Sequence, residues 1–188
     1  MYRFLLACLI ATLGMISTMD AQPKKTGLLE GAPEPSLQVR SSSFLQGTLI
    51  PQRYSCEGAD VSPQLQWAAG PEGTESYAVI VTDPDTPNRK IFYHWILYNI
   101  PARTHSLLEG QAKQSLLTDG SRQGLNSARA VGYMGPCPPP PGKHRYFFTV
   151  YALDKMITLP PNPGIDLVET ALQGHILATG QLMGLYER

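Results

Sequence analysis

Two apolar runs, Tyr77 to Thr82 and Ile91 to Ile100, stand on either side of Asp83-Pro84-Asp85-Thr86-Pro87, and this arrangement constrains the chain more than any other stretch. The first run is β-branched and apolar enough for a buried strand. The second, rich in aromatic and branched residues, reads as its neighbour. Between them the two prolines fix φ and restrict the residue before each, so both carboxylates leave the strand end in set directions. His94 lies inside the second run, and pairing of the two strands would let it meet Asp83 at one end of a sheet. A plainer reading uses the same residues: Asp-Pro-Asp is ordinary turn chemistry, and a histidine in an apolar strand is commonly a satisfied core group.

Short strand signals recur along the rest of the chain. Leu37-Gln-Val-Arg-Ser41 and Leu65-Gln-Trp67 alternate apolar and polar residues, and Arg145 to Leu153 reads as a buried strand. Residues 101 to 127 are poor in apolar groups and broken by glycine, which reads as connection with little regular structure. Four consecutive prolines, 138 to 141, must be extended and cannot join a central strand, so they suit the rim of a pocket. One helix is expected over Ile165 to Leu177, with Pro163 just before it, and a last strand over Gln181 to Tyr186. On that helix His175, like His105 in the connection, is expected to face solvent or to be satisfied in the core.

The segment Gly132-Tyr-Met-Gly-Pro-Cys-Pro-Pro-Pro-Pro-Gly-Lys-His-Arg-Tyr146 adds a second polar cluster. With Asp-Pro-Asp-Thr-Pro running on to His94-Trp95, it resembles the phosphatidylethanolamine-binding protein family, also called Raf-kinase-inhibitor-like proteins. The hallmarks of that family are a D-P-D-x-P segment leading into H-W and a later G-x-H-R-Y segment. The similarity continues through Ser62-Pro-Gln-Leu-Gln-Trp67 and Tyr151-Ala-Leu-Asp154, covering roughly residues 40 to 188. It implies an all-β, antiparallel β-sandwich with a C-terminal helix and a small anion pocket at one end. The ligand-binding residues it implies are Asp83, Asp85, Pro87, His94, Gly135, His144 and Tyr146.

Compartment is read from the ends and the cysteines. Met1 to Ala21 has a basic residue followed by an apolar run too short for a comfortable transmembrane helix, the pattern of a secretory signal peptide. An uncleaved anchor, with membrane contact, is the alternative. Residues 22 to 36 mix proline, glycine and charge as a flexible linker, which leaves 37 to 188 as the domain. The protein is expected to be periplasmic or secreted. Beyond the leader two cysteines remain, Cys56 and Cys137, and parity in an exported domain favours a disulfide between them. Closing a loop of about 80 residues would contribute roughly 4 kcal/mol on the chain-entropy estimate. The alternative is two thiols, with Cys137 and His144 as a nucleophile and base.

The fifteen basic and fifteen acidic residues balance, so no global field draws the chain to nucleic acid, and any anion must be captured locally. Two histidines with backbone N–H groups around Gly135 would make a compact receptor for phosphate-type oxyanions or phospholipid headgroups. Asp83 would hold an imidazole, Asp85 would bond turn amides, and Arg145, on the opposite strand face from His144 and Tyr146, would point to structural partners. Binding is expected to tighten below about pH 6.5 as His94 and His144 gain charge. The resemblance also admits modulation of a partner kinase or protease. An enzymatic alternative, metal-dependent or acid/base hydrolysis by His94, His144 and Asp83, lacks a His-x-x-x-His or Glu-x-x-His pair, and no cofactor or catalytic residue is assigned.

Overall fold

The computed structural model describes residues 37–188; the leader and linker expected over 1–36 lie outside the described residues. In chain order the elements are β1 (Val39–Arg40), a 3₁₀ turn (Gln52–Tyr54), β2 (Leu65–Trp67), β3 (Ser76–Asp83) and β4 (Phe92–Pro101). β5 (Ser106–Leu107), β6 (Arg122–Gln123), β7 (Lys143–Leu153), α1 (Ile165–Leu172) and β8 (Ile176–Glu187) complete them. β1, β2 and β5 form a three-stranded sheet, and the others a five-stranded sheet in the order β6-β4-β3-β7-β8. Every pairing between named strands is antiparallel. The antiparallel β architecture with one short helix, expected from the family resemblance, is the architecture found.

Both faces of the five-stranded sheet are covered, which explains why β3 reads as a continuous apolar run. One face, with Val79, Val81, Trp95, Leu97, Phe148 and Val150, packs against Leu65, Trp67 and Leu107 of the smaller sheet. The other, with Ile80, Ile96, Tyr98, Tyr151 and Leu153, packs against Val168 and Leu172 of the helix. The outer edge of β8 is not left open. Leu37 N–H donates to Thr179 O, Gly47 N–H to Met183 O and Ile50 N–H to Leu185 O, so the incoming chain caps the edge.

The C-terminal third departs from expectation. The helix stops at Leu172, five residues early, because Gly174 takes a left-handed φ of 76° and ends it. Ile176 and Leu177, which continue the helical spacing, begin β8, which starts five residues before the expected Gln181. His175 is therefore not on the helix; its Nδ1 meets Asp154 Oδ1 at 2.8 Å. The stretch 101 to 127 is mostly connection, as expected, yet it contributes β5 and β6 and is pinned by the buried Gln123. That side chain accepts from Trp95 Nε1 at 2.6 Å and donates to the carbonyls of Ala112 and Gln114.

Cys56 and Cys137 are joined, with sulfurs 2.04 Å apart and a separation of 81 positions in sequence. Cys137 is therefore no free nucleophile. The bridge links the 3₁₀-turn segment to the proline loop. Replacing both cysteines by serine should lower the free energy of unfolding by about 2–4 kcal/mol, below the chain-entropy ceiling, in a denaturant titration. Unchanged stability would show that the bridge constrains nothing that the other contacts do not already hold.

Candidate functional site

The site lies at the end of the five-stranded sheet where β3 finishes. Asp83, on the same face as Val79 and Val81, is 3% exposed, and its neighbour Thr82 is in register with Phe147 on β7. Along β7 the side chains alternate: His144 and Tyr146 are buried, Lys143 and Arg145 exposed. His144 thereby reaches Asp83, with Nδ1 and Oδ2 at 2.7 Å. His94 arrives by a different device. Val81 pairs with Trp95 but Thr82 pairs with Tyr93, so His94 is the extra residue of a β-bulge. Strict alternation would place His94 with Ile96, on the helix side. The bulge instead turns it towards Tyr146, their ring centroids 5.2 Å apart.

Each imidazole has one nitrogen committed. His94 Nδ1 lies 2.8 Å from the carbonyl oxygen of Met134, which can only accept, so Nδ1 carries the proton. His144 Nδ1 donates to the Asp83 carboxylate. The Nε2 atoms are left for the cavity. Burial pushes the His94 pKa below its ordinary value, outweighing the upward pull of the Met134 carbonyl and of Asp83. The charging of His94 expected near pH 6.5 is thus displaced to lower pH. Tyr146 is fully buried, and burial followed by the charge of Asp83 drives its hydroxyl pKa far upward. That hydroxyl keeps its proton but has hydrogen-bond geometry to no group among the described residues.

The turn after β3 is fixed from two sides. Asp83 Oδ1 accepts the Asp85 N–H at 2.8 Å. Asp85, expected from sequence to bond the turn amides, instead takes the backbone N–H of Arg145 at 2.9 Å and its guanidinium at 2.8 and 2.6 Å. Antiparallel packing brings β7 within reach of the turn, and a guanidinium outcompetes the neutral amides for a carboxylate. The Arg145 guanidinium holds the Asp85 pKa below the usual carboxylate range.

Asp83, Pro87, His94 and His144 line a cavity of about 450 Å³, together with Lys90, Phe92, Ser127, Met134, Cys137, Pro138 and Pro139 among others. Asp85, Gly135 and Tyr146 stand behind the wall. Gly135 also differs from expectation, since its N–H is donated to Asp60 Oδ1 at 2.6 Å rather than offered to the cavity. Asp60 is paired in turn with Lys113 at 2.5 Å. A side chain at Gly135 would lie 2.3 Å from the carbonyl oxygen of Tyr54, so the two segments can pack this closely only with glycine here. Of the four prolines, Pro138 and Pro139 line the cavity, and a Cβ on Gly142 would be 2.5 Å from Pro139 O and 3.5 Å from His144 Nε2, which places the loop over that imidazole.

Sequence reasoning missed Asp60, Lys90, Ser127 and Met134. Lys90 is visible as a cation at the end of the turn, and its ammonium makes no ion pair among the described residues. No hydroxyl or thiol among the described residues is hydrogen-bonded to either imidazole, and no cluster there has three ligands suited to a metal ion. The hydrolytic alternative thus gains no support from the arrangement.

The sequence profile of the phosphatidylethanolamine-binding protein family matches residues 40–187. A UPF0098 protein of Methanothermobacter thermautotrophicus is 41% identical over 81% of this chain and 99% of its own length. One of Aquifex aeolicus is 45% identical over 81% and 89%. Among solved structures, a putative phosphatidylethanolamine-binding protein homologue from Chlamydia trachomatis superposes with a TM-score of 0.74. It is 38% identical, over 82% of this chain and 99% of that one. YbcL of Escherichia coli, described as a new member of the mammalian family, also has a TM-score of 0.74, at 34% identity over 81% and 98%.

The buried His94 makes stability depend on pH with a defined sign. Its folded pKa lies below the unfolded value of about 6.5, so the unfolded chain takes up the proton first as pH falls. The stability associated with neutral His94 is complete above about pH 6.5 and is lost as pH falls towards the depressed folded value. Each kcal/mol lost should lower Tm by roughly 2–4 °C in a domain of this size. Thermal melts between about pH 7 and pH 5 should show a smaller decline for His94→Gln than for the unaltered protein. Equal slopes would remove His94 from the account.

Proposed function

The chain belongs to the phosphatidylethanolamine-binding protein family, and on that premise we propose that it is a binding protein for phosphate-type oxyanions, free or carried on a headgroup. The observation that carries this reading is the pair of buried imidazoles, each with Nδ1 committed, presenting Nε2 to one cavity whose rim bears the unpaired Lys90. Asp83 accepts the hydrogen bond from His144 Nδ1 and so fixes the orientation of that ring in the cavity wall. The apolar walls, from Phe92, Met134, Pro138 and Pro139, suit the carbon portion of an esterified phosphate and exclude water from the polar contacts. The reading makes no use of bond-making chemistry. The leader-like N-terminus supports action outside the cytoplasm.

Calorimetry with inorganic phosphate and with phosphoethanolamine should detect binding to the unaltered protein. His94→Ala and His144→Ala should each weaken it by about tenfold or more, the scale set by losing one hydrogen bond to a charged group. Circular dichroism serves as the folding control. Folded variants that bind both ligands as well as the unaltered protein would remove the site from this cavity.

A further inference from the structure

The polar groups facing the cavity are unbalanced, and the imbalance bears on which oxyanions fit. His94 Nε2 is a bare lone pair because Nδ1 must carry the proton given to Met134 O. Asp83 is an acceptor as well, and so is His144 Nε2, since the proton of that ring is on Nδ1 and donated to Asp83. Against them the cavity has Lys90 at its rim and Ser127, whose oxygen accepts the Tyr93 N–H at 2.9 Å and whose own hydrogen remains to donate. The Gly135 amide, a natural donor to an anion, is already spent on Asp60. An anion whose oxygens only accept would therefore set lone pairs against lone pairs at His94.

We propose that the cavity selects oxyanions that bring their own proton: His94 Nε2 accepts a hydrogen bond from a P–OH group while Lys90 and the Ser127 hydroxyl meet the charged oxygens. This rests on the reading of the cavity as a phosphate-type site and narrows it. Hydrogen phosphate carries such a proton even as the dianion, and a phosphomonoester carries one below its second pKa of about 6. Sulfate and phosphodiesters carry none at neutral pH. The class selected is free phosphate or a protonated monoester, rather than the diester of an intact phospholipid.

Protonation of His94 itself would remove the selection, and the surroundings oppose it. The ring is 4% exposed, wedged between Phe92 and Tyr146, at centroid distances of 4.7 and 5.2 Å. The charged and titratable groups around it are Asp83 at the end of β3, His144 and Tyr146 on β7, Asp60 behind the Met134–Gly135 peptide and Lys90 on the turn. The two carboxylates favour the charged ring but are outweighed by its burial. Leaving a buried acceptor without a donor carries a larger penalty than a hydrogen bond contributes when made, so the discrimination should be substantial.

Calorimetry at about pH 7 with inorganic phosphate, sulfate, dimethyl phosphate and glycerophosphoethanolamine tests this, with phosphoethanolamine added at about pH 6 as the monoester arm. Phosphate should bind about tenfold or more tightly than sulfate and both diesters, and the monoester should group with phosphate. Equal affinity for phosphate and sulfate would overturn the selection while leaving the anion site intact; no binding of any anion would overturn both. In His94→Gln the amide can turn its N–H₂ to the ligand, so sulfate should gain on phosphate, whereas a merely structural role would weaken all ligands alike and contradict the proposal. Should that variant not fold, the unaltered protein still decides. At about pH 7 it should prefer phosphate to sulfate and to dimethyl phosphate alike, and equal affinity for phosphate and either of the two would overturn the proposal.

Discussion

β3 is hydrogen-bonded along both edges and buried on both faces, and the rest of the molecule depends on its register. Seven consecutive residues, Ser76 to Thr82, are paired with β7, and β4 lies antiparallel on the other side. A slip of one residue would move Val79 and Val81 to the helix side and Asp83 with them, so hydrophobic burial itself fixes where the carboxylate emerges. From that position the contact to His144 follows, because β7 is held in the same register. The core thus specifies the site: the same pairing that buries Phe148 and Val150 brings Asp83 and His144 to 2.7 Å.

A second constraint comes from the segment after the 3₁₀ turn. The Cys56–Cys137 bridge, the Cys56 N–H to Pro136 O bond, the Tyr133 hydroxyl on Tyr54 O and the Asp60 carboxylate on the Gly135 amide tie residues 54–60 to residues 133–137. That segment is anchored in its turn, since Ser55 and Glu57 both bond the Tyr186 hydroxyl on β8. The outcome is that the Met134 carbonyl is held still, and with it the proton on His94 Nδ1. A loop that lines the cavity is given the rigidity of the sheet, the condition a binding site needs to avoid ordering costs when ligand arrives.

Much of the sheet and part of the site were legible in sequence for physical reasons. Long strands buried on both faces announce themselves as apolar runs, and Asp83, His94 and His144 are polar groups set where apolar ones are expected. What escaped was local or relational. β5 and β6 are two residues each, too short for any period to show. Leu172 and Ile176 keep helical spacing past Gly174, which masks the stop signal that the glycine itself provides. The bulge at His94 depends on the register of a partner strand, and the Met134 carbonyl is backbone, which carries no side-chain signature. Asp60 acts on Gly135, 75 residues away in sequence, and nothing near it marks that pairing.

Which nitrogen of each imidazole holds the proton decides what the cavity can accept, and that can be observed directly. Long-range proton–nitrogen NMR correlations on the unliganded protein at about pH 7 report the protonation of Nδ1 and Nε2 separately. The structure requires a protonated Nδ1 in both rings, facing Met134 and Asp83, with His94 Nε2 bare. A His94 ring found with its proton on Nε2 would mean that Met134 does not hold it, and the arrangement of donors and acceptors described for the cavity would be wrong.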